Sequence, residues 1–259
     1  MLTRPHLAGI ARREGVPLHA VERDYVQHVF LRHAGSGPLV FKGGTCLRIV
    51  HGSPRHSEDL DFNGPDRAGA LAHVETAAAR LADYGMPASL RPVDSREGLQ
   101  ARLRYEGPLF DGTDRSRGSI RIEVSLRGEA VEAEPAFVPR TPYADVPQLV
   151  LLVTTREHLL AEKVRALLTR RAARDLYDVH FLLTRDVSCP RSLLDAKMAL
   201  YGRRFTVRAL DESVRATART WERDLGPLLG QVPPYARVAG DVRTALRTMA
   251  ARGPRRRGT

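Results

Sequence analysis

The apolar positions of this 259-residue chain follow two different periods, one in each half. In the first half they alternate with polar positions, most clearly at 119–127, where Ile120, Ile122 and Val124 face one way and the intervening residues face the other. Similar patterns predict strands at 39–41, 58–62, 88–93, 100–106 and 149–153. Apolar residues at helical spacing and alanine-rich stretches predict helices at 20–34, 66–84, 156–171, 173–184, 207–226 and 238–251.

This order of elements predicts an α+β fold, in which a mixed sheet with flanking helices is followed by a helical C-terminal domain. We expect the proline-bearing stretch 135–147 to be a linker, so the two parts separate near residue 147. The predicted segments are an N-terminal helical segment at 1–35, a sheet-containing core at 36–147, a mainly helical domain at 148–251 and a basic disordered tail at 252–259.

The composition favours a polyanionic partner such as RNA, because the formal net charge is +11. Arginine supplies nearly all of the cations, with 38 residues against three lysines, Lys42, Lys163 and Lys197. Such arginine richness also follows from GC-rich coding, so two explanations of the charge stay open. The scarcity of lysine makes a lysine inside a motif more informative than an arginine.

Several classes of protein are excluded by what the sequence lacks. No segment reaches the roughly 20 apolar residues of a membrane helix, and the first residues lack the continuous apolar stretch of a signal peptide. Two cysteines, Cys46 and Cys189, are too few for a disulfide framework or a structural zinc site. We therefore expect a cytoplasmic protein whose cysteines are small buried side chains.

Gly43 and Gly44 separate the first predicted strand from a short helix. A glycine pair lets the backbone approach a phosphate, and the start of a helix offers N–H groups and a positive dipole end. Thr45 is placed to cap this helix. A tight strand–helix turn also uses two glycines, so phosphate binding and simple turn formation both stay open. Lys42 precedes the pair, and its side chain points either to the site or to solvent.

Asp59 and Asp61 lie two residues apart on a predicted strand, so both project from one face while Leu60 and Phe62 are buried behind them. Two carboxylates this close repel each other unless a cation lies between them. The pair suits Mg²⁺ ions held about 3.5–4 Å apart for attack on a phosphoryl group. A solvated acidic strand edge is the alternative. Ser57 is placed either to hydrogen-bond a phosphate oxygen or to form a turn.

The combined motifs resemble the DNA polymerase β-type nucleotidyltransferase superfamily, whose signature is a glycine pair, then Asp-x-Asp, then a third acid on a neighbouring strand. Within it, the chain resembles the AbiEii-type abortive-infection nucleotidyltransferases, which include the MenT-type toxins of type IV-like toxin–antitoxin pairs. The segments that carry the resemblance are VERDYV at 21–26, FKGGT at 41–45, RHSEDLDF at 55–62, EHLLAEK at 157–163 and RDLYD at 174–178. The joint pattern spans residues 20–185 and is specific, although each segment alone is not.

The resemblance implies a magnesium site, with two ions, at Asp59, Asp61 and Glu123. Asp59 and Asp61 are implied to position an NTP and to deprotonate the acceptor hydroxyl, and Glu123 to complete the metal site on the acceptor side. Judged from the residues alone, Glu123 is either this third acid or a surface glutamate paired with Arg121 and Arg127.

The resemblance also implies that 36–147 is the nucleotidyltransferase core and that Lys163 has a catalytic role on the triphosphate. The residues implied to bind the nucleotide are Gly43, Gly44, Thr45, Ser57, Lys163, Asp175 and Asp178. Lys163 lies among leucines on its predicted helix, so it needs either an anion or a path to solvent. Asp175 and Asp178 share one face of the next helix, where they could orient Lys163, contact the nucleotide or pair with nearby arginines.

Members of this family act as toxins, and some modify the 3′ end of tRNA. The resemblance therefore implies a toxin that transfers a nucleoside monophosphate from an NTP to RNA, with tRNA as the expected acceptor and a cognate antitoxin as partner. Two alternatives stay open: nucleotidylation of a small, antibiotic-type acceptor, and a non-catalytic RNA-binding protein with a relic site. A phosphatase that uses Asp59 as nucleophile is not favoured, because no haloacid-type pattern follows Asp61.

Overall fold

The computed structural model of the chain describes residues 1–35, 37–93, 98–128 and 131–251. It contains two compact units: one is formed by Met1–Thr154 with Pro227–Gly230, the other by Thr155–Gly226 with the chain from Gln231 onward. The α+β fold is confirmed, since every strand of the described residues lies in the first unit and the second unit is helical. The predicted disordered tail, 252–259, lies outside the described residues and stays a prediction.

The first unit combines helices with a seven-stranded sheet. Its helices are α1 (Arg4–Glu14), α2 (Leu18–Ala34), α3 (Gly43–Ile49) and α4 (Arg67–Ala79), with 3-10 turns at Arg80–Tyr84 and Asp114–Ser116. Its strands are β1 (Val40–Lys42), β2 (Asp59–Asn63), β3 (Ala88–Val93), β4 (Gly98–Tyr105), β5 (Gly118–Ser125), β6 (Ala133–Val138) and β7 (Leu149–Thr154).

The strands are hydrogen-bonded in the order β3-β4-β5-β2-β1-β7-β6, which puts β2 at the centre of the sheet. β2 runs parallel to β5 on one side and antiparallel to β1 on the other. β3 and β4 extend the sheet beyond β5 as antiparallel neighbours, and β7 and β6 extend it beyond β1. This mixed pairing brings residues that are far apart in the sequence onto neighbouring positions of one face.

One face of the sheet is apolar because alternate residues of the central strands are buried. Leu60, Phe62 and Ile122 are at most 1% exposed. Helix α2 packs against β5, and α4 packs against β3 and β4, so the helices cover strands of this sheet. The intervening residues of the same strands are polar and lie on the opposite face. The predicted alternation of the central strands is confirmed.

The regular structure of the second unit's described residues is all helical: it comprises α5 (Arg156–Arg170), α6 (Ala173–Leu183), α7 (Arg191–Ala199), α8 (Val207–Thr217), a 3-10 turn at Ala218–Thr220, α9 (Trp221–Leu225) and α10 (Tyr235–Ala251). Helix α5 packs against α6, α7 and α8, and α10 packs against α6 and α8. Trp221 is buried, and its indole N–H donates to the carbonyl of Pro233 at 2.8 Å. None of the helices in the described ranges is both long and apolar enough to span a bilayer.

Strand pairing at the edge of the sheet changes two features expected from local sequence. The stretch 135–147, expected to be a linker, begins inside β6, which pairs antiparallel with β7. Pro135 is tolerated there because β6 is an edge strand. The first unit accordingly runs to Thr154, the last residue of β7, whereas the sequence places the change of domain near residue 147.

Candidate active site

Three carboxylates lie on neighbouring positions of β2 and β5. Asp61 is directly opposite Glu123 in the parallel register, and Asp59 is opposite Arg121. Because Asp59 and Asp61 are two residues apart on one strand, they share its polar face. All three acidic side chains are partly exposed. The sheet thus brings Asp59, Asp61 and Glu123 together on one face.

Arg121 supplies a positive charge among these acids. Its Nη2 lies 2.7 Å from Asp59 Oδ2, and its Nε lies 3.1 Å from Glu123 Oε1. The hydrogen bond to Asp59 raises the pKa of Arg121 above its ordinary value, against the opposing effect of partial burial. Glu123 therefore makes the ion pair that the sequence offers as the alternative to metal binding.

The three acids still suit a divalent cation in their chemistry. Carboxylate oxygens are the ligands that Mg²⁺ prefers, and a cation between them relieves their mutual repulsion. Among the residues that the structure describes, no three His, Cys, Asp or Glu side chains form a ready-made metal-binding group. A metal ion held by these acids would replace Arg121, whose side chain is 49% exposed.

Lys42 lies in the same row of the sheet as Asp61, on the side away from Glu123. The antiparallel register of β1 and β2 puts Lys42 directly opposite Asp61, and opposite residues project from the same face. The lysine is buried, at 8% exposure. Of the two directions open to Lys42 in the sequence, the structure therefore has the one toward the site.

Gly43 and Gly44 lead from β1 into α3, and each is crowded by polar side chains. Gly43 has a φ of +78°, in the left-handed region that favours glycine, and a Cβ there would overlap the Asp61 carboxylate. A Cβ on Gly44 would overlap the side chains of Arg55 and Ser57. The pair therefore lets the backbone of the turn lie directly against Asp61, Arg55 and Ser57.

Arg55 is a buried cation that sequence reasoning did not single out. It is 2% exposed, and its Nη1 donates to the carbonyl of His56 at 2.8 Å. Its guanidinium also lies against Gly44. Charge-assisted hydrogen bonds from arginine are well suited to phosphate, so Arg55 adds a candidate anion ligand to the glycine turn. The sequence signal for it is its place in the RHSEDLDF segment.

Ser57 lies at the entrance of β2, where two residues of α2 contact the chain. Gln27 of α2 donates from Nε2 to the carbonyl of Ser57 at 3.1 Å. The next residue, Glu58, accepts a hydrogen bond at 2.8 Å from Arg23 of the same helix. The Ser57 side chain lies next to Gly44 and is partly exposed, so it is available to a ligand at the turn.

Thr45 differs in position from the prediction. Helix α3 begins at Gly43 and is preceded by Lys42, so the predicted capping role of Thr45 is wrong. The threonine lies inside the first turn and is fully buried. Its hydroxyl donates to the backbone carbonyl of Asp59, which fixes the start of β2 against α3.

A network of ion pairs holds the loop that leads into β2. Arg48 of α3 approaches two acids: its Nη2 lies 2.7 Å from Glu14 Oε2 and its Nε lies 3.3 Å from Asp24 Oδ1. His56 Nε2 lies 2.8 Å from the same oxygen of Glu14. The hydrogen bond with His56, together with the charge of Arg48, lowers the pKa of Glu14 despite partial burial. Glu14 therefore ties both α3 and the site loop to α1.

Lys163, in the second unit, pairs with carboxylates of the next helix. Its Nζ lies 2.7 Å from Asp178 Oδ2 and 3.9 Å from Asp175 Oδ1. Arg170 Nη2 lies 2.9 Å from Asp175 Oδ1. Both aspartate side chains are fully buried, and the lysine side chain is 10% exposed. Asp178 is thus the anion that Lys163 needs, and the predicted contacts of the two aspartates with a nucleotide stay predictions.

The fold is shared with solved structures from two bacteria. MenT4, a nucleotidyltransferase toxin from Mycobacterium tuberculosis, superposes with a TM-score of 0.68 at 24% identity, covering 96% of this chain and 90% of its own. JHP933 from Helicobacter pylori superposes with a TM-score of 0.64 at 19% identity, covering 91% of this chain and 94% of its own. No curated protein matches the chain in sequence. At these identities the likeness establishes the fold.

A family model assigns the chemistry. The family described as "Nucleotidyl transferase AbiEii toxin, Type IV TA system" matches residues 25–248 of the chain. The matched range contains the glycine turn, the three acids of the sheet and the Lys163 cluster. Because it covers most of the 259 residues, the chain belongs to the AbiEii family of nucleotidyltransferase toxins of type IV toxin–antitoxin systems.

Proposed function

We propose that this nucleotidyltransferase moves a nucleoside monophosphate from an NTP to RNA, with the 3′ end of tRNA as acceptor and Mg²⁺ at the carboxylates. The observation that carries the proposal is the sheet register. It aligns Asp61, which lies beside the glycine turn, with Glu123, and Asp59 shares their face. Paired carboxylates beside a glycine turn suit in-line attack on a phosphoryl group.

The metal ligands in this proposal are Asp59, Asp61 and Glu123. Bound Mg²⁺ would supply charge for the triphosphate and a more acidic acceptor hydroxyl. Asp59 and Asp61 position the NTP and favour loss of the acceptor proton, while Glu123 serves the acceptor side. Lys42, buried opposite Asp61, adds a fixed positive charge that limits repulsion among the acids.

The nucleotide ligands in this proposal are those that the family resemblance implies. They are Gly43, Gly44, Thr45, Ser57, Lys163, Asp175 and Asp178. Gly43 and Gly44 contribute backbone, and Ser57 a hydroxyl. Thr45 acts through the backbone it holds, because its side chain is buried. Lys163 neutralises developing charge on the triphosphate, with Asp175 and Asp178 orienting it. Arg55 joins this set on the strength of its contact with Gly44.

RNA is proposed as the acceptor because of charge. A formal net charge of +11 suits a polyanion better than a small antibiotic. A type IV toxin is expected to meet an antitoxin in the cytoplasm of the producing cell, and MenT4, which shares the fold, is described as a nucleotidyltransferase toxin.

The test is to incubate the protein with total RNA, Mg²⁺ and each α-labelled NTP in turn, and to identify the labelled species. Label in tRNA would support the proposal. The variants Asp59→Asn and Asp61→Asn should lose at least about 10²-fold in labelling, since groups of this kind commonly contribute 10²–10³-fold. Asp83→Asn, at an exposed position, is the matched control.

Two other outcomes would replace the proposal. Label in a small molecule, with none in RNA, would favour antibiotic-type nucleotidylation. If wild type and Asp61→Asn label nothing but bind RNA equally well, the site is a relic and the protein is an RNA-binding toxin.

A further inference from the structure

Three arginines form a row across the sheet that ends at the carboxylates. In the register of the strands, Arg91 of β3 is opposite Arg102 of β4, Arg102 is opposite Arg121 of β5, and Arg121 is opposite Asp59 of β2. Opposite residues share a face, and neighbouring strands are about 4.8 Å apart. Arg91, Arg102 and Arg121, which we call the arginine row, therefore form a line of positive charge that stops at Asp59.

Such a line is unfavourable for the sheet by itself, because like charges directly opposite each other on neighbouring strands repel. Within the described ranges, Arg91 and Arg102 form no ion pair, and both are exposed. Arginines nearby behave differently: Arg104 lies 3.0 Å from Asp114, and Arg117 lies 2.7 Å from the same residue. The described acids thus neutralise the neighbours of the row but leave two of its members to an external anion.

A small cavity marks the end of the row beside Asp59. Its volume is about 220 Å³, and its lining residues are Arg23, Glu58, Asp59, Arg102, Ser119 and Arg121. Guanidinium and hydroxyl groups are the donors that proteins use for phosphate oxygens. The cavity therefore offers a binding site for a phosphate group directly next to Asp59, a carboxylate of the proposed metal site.

Arg121 belongs both to this cavity and to the proposed metal site. Its guanidinium is bonded to Asp59 and Glu123, and it also lines the cavity. A phosphate in the cavity competes with both carboxylates for the same donors. When Arg121 turns to the phosphate, Asp59 and Glu123 are left to bind a cation.

We propose that the arginine row binds the sugar–phosphate backbone of the RNA acceptor and that the bound RNA draws Arg121 away from the metal-binding acids. This proposal rests on RNA being the acceptor, as proposed above. RNA is favoured over a single nucleotide because the row extends over three strands, which matches a chain of phosphates rather than one. Reciprocal coupling follows: RNA should tighten metal binding, and metal should tighten RNA binding.

The first experiment measures RNA binding by the full chain. The double variant Arg91→Gln/Arg102→Gln is compared with Arg32→Gln/Arg80→Gln, which removes two exposed arginines of the helices and their 3-10 extension. Both double variants lower the formal charge from +11 by the same two units. Affinity for a labelled single-stranded RNA is followed by fluorescence anisotropy between low and moderate salt.

In a plot of log affinity against log salt concentration, each lost phosphate contact should reduce the slope by about 0.7, hence by about 1.4 in total for the row variant. Its affinity for the RNA at 0.1 M salt should fall roughly 25-fold. The control should keep the wild-type slope. If the row variant and the control have the same slope, the row is not the RNA site, while labelling of RNA by wild type would leave the proposed function intact. If wild type neither binds nor labels RNA, both proposals fall.

Binding of a fluorescent NTP separates the row from the nucleotide site. The row variant should bind the NTP as wild type does. Loss of NTP binding with unchanged RNA binding would assign the row to the triphosphate and overturn the proposal.

The coupling has its own readout in Mn²⁺ binding followed by electron paramagnetic resonance. Wild type should bind Mn²⁺ more tightly when RNA is present, and the row variant should show a smaller gain. An Mn²⁺ affinity that RNA does not change would overturn the role of Arg121.

Discussion

Two separate features of position 43 favour glycine over every other residue type. Its φ of +78° lies in the left-handed region, and the space where a Cβ would sit is taken by the Asp61 carboxylate. The φ angle restricts which residues the backbone accepts, and the carboxylate leaves no room in the site for a side chain. Gly85 offers a comparison, since its φ is +70° and nothing lies within 4 Å of where its Cβ would be.

Comparing Gly43→Ala with Gly85→Ala should therefore separate the effect of backbone strain from the effect of displacing the Asp61 carboxylate. Left-handed backbone costs an L-residue about 1–2 kcal/mol, so both variants should melt at lower temperature. Only Gly43→Ala should lose transferase activity, because only there does the new methyl group push Asp61. Calorimetry and NTP incorporation measure the two effects. Equal activity in the two variants would mean that Asp61 tolerates displacement.

Lys163 requires a test that separates its structural pair from its proposed work on the triphosphate. Lys163→Met leaves Asp178 buried without its cation, and breaking one side of a buried pair costs about 3–5 kcal/mol. The double variant Lys163→Met/Asp178→Asn should regain much of that stability but still bind NTP poorly. Lys163→Arg should also be impaired, since a planar fork does not replace a point charge.

Lys197→Met is the matched control for these variants, because Lys197 is another buried lysine of the same unit, at 6% exposure. It should affect melting without affecting NTP affinity. If the Lys163→Met/Asp178→Asn protein binds NTP as tightly as wild type, Lys163 has a structural role only.

At the scale of elements, α1 acts on the site through a single carboxylate. Glu14 is the last residue of α1, and it bonds to both Arg48 of α3 and His56 of the loop before β2. Because these contacts lower the pKa of Glu14, its charge stabilises the fold above the ordinary pKa of about 4.5, and this stabilisation is lost as the pH falls through the lowered value.

Glu14→Gln should accordingly lower the melting temperature at pH 7, and the difference from wild type should shrink as the pH falls below about 4.5. Melting curves from pH 7 to pH 3 give the measurement. Glu75→Gln, at an exposed position on α4, is the control and should follow wild type throughout. A gap that stays constant over this range would show that the Glu14 charge does not stabilise the loop.

The site could be predicted from the sequence where local periodicity decides the geometry. Alternation along β2 and β5 placed Asp59, Asp61 and Glu123 on the polar faces of their strands, because side chains alternate strictly in a strand. It could not show that Asp61 faces Glu123 or that Lys42 faces Asp61. Those relations depend on pairing between distant segments, which local pattern does not specify.

Parts of the fold were missed for related reasons. β6 contains Pro135 and its pairing partner is β7, so only the tertiary arrangement makes it a strand. Helix α7 is only nine residues long, too short for its apolar residues to repeat often enough to establish a period. The ion pair of Arg121 with Asp59 was also hidden, because it joins two strands that only the sheet register brings together, whereas the pairing with Glu123 was one of the two readings that the sequence offered.

For the molecule as a whole, charge should decide how activity responds to salt. If RNA is the acceptor, the KM for RNA should rise steeply between about 50 and 200 mM salt, because each phosphate contact contributes about 0.7 to the log–log slope. The kcat at saturating RNA should change little, because the charged groups of the RNA-bound site are already paired with each other. Initial rates of label incorporation over this range provide the data. A small acceptor would show a shallow dependence.

The burial of all three lysines has a consequence for the chemistry of the protein surface. Lys42, Lys163 and Lys197 are 8%, 8% and 6% exposed, so arginine supplies the positive side-chain charge that solvent meets. Guanidinium groups stay protonated at physiological pH and are not substrates for lysine acetylation. The side chains that make the surface basic are therefore not substrates of lysine-acylating enzymes or reagents. Brief treatment of the folded protein with an amine-reactive ester should spare the lysines, and modification of Lys163 would report opening of its pair with Asp178.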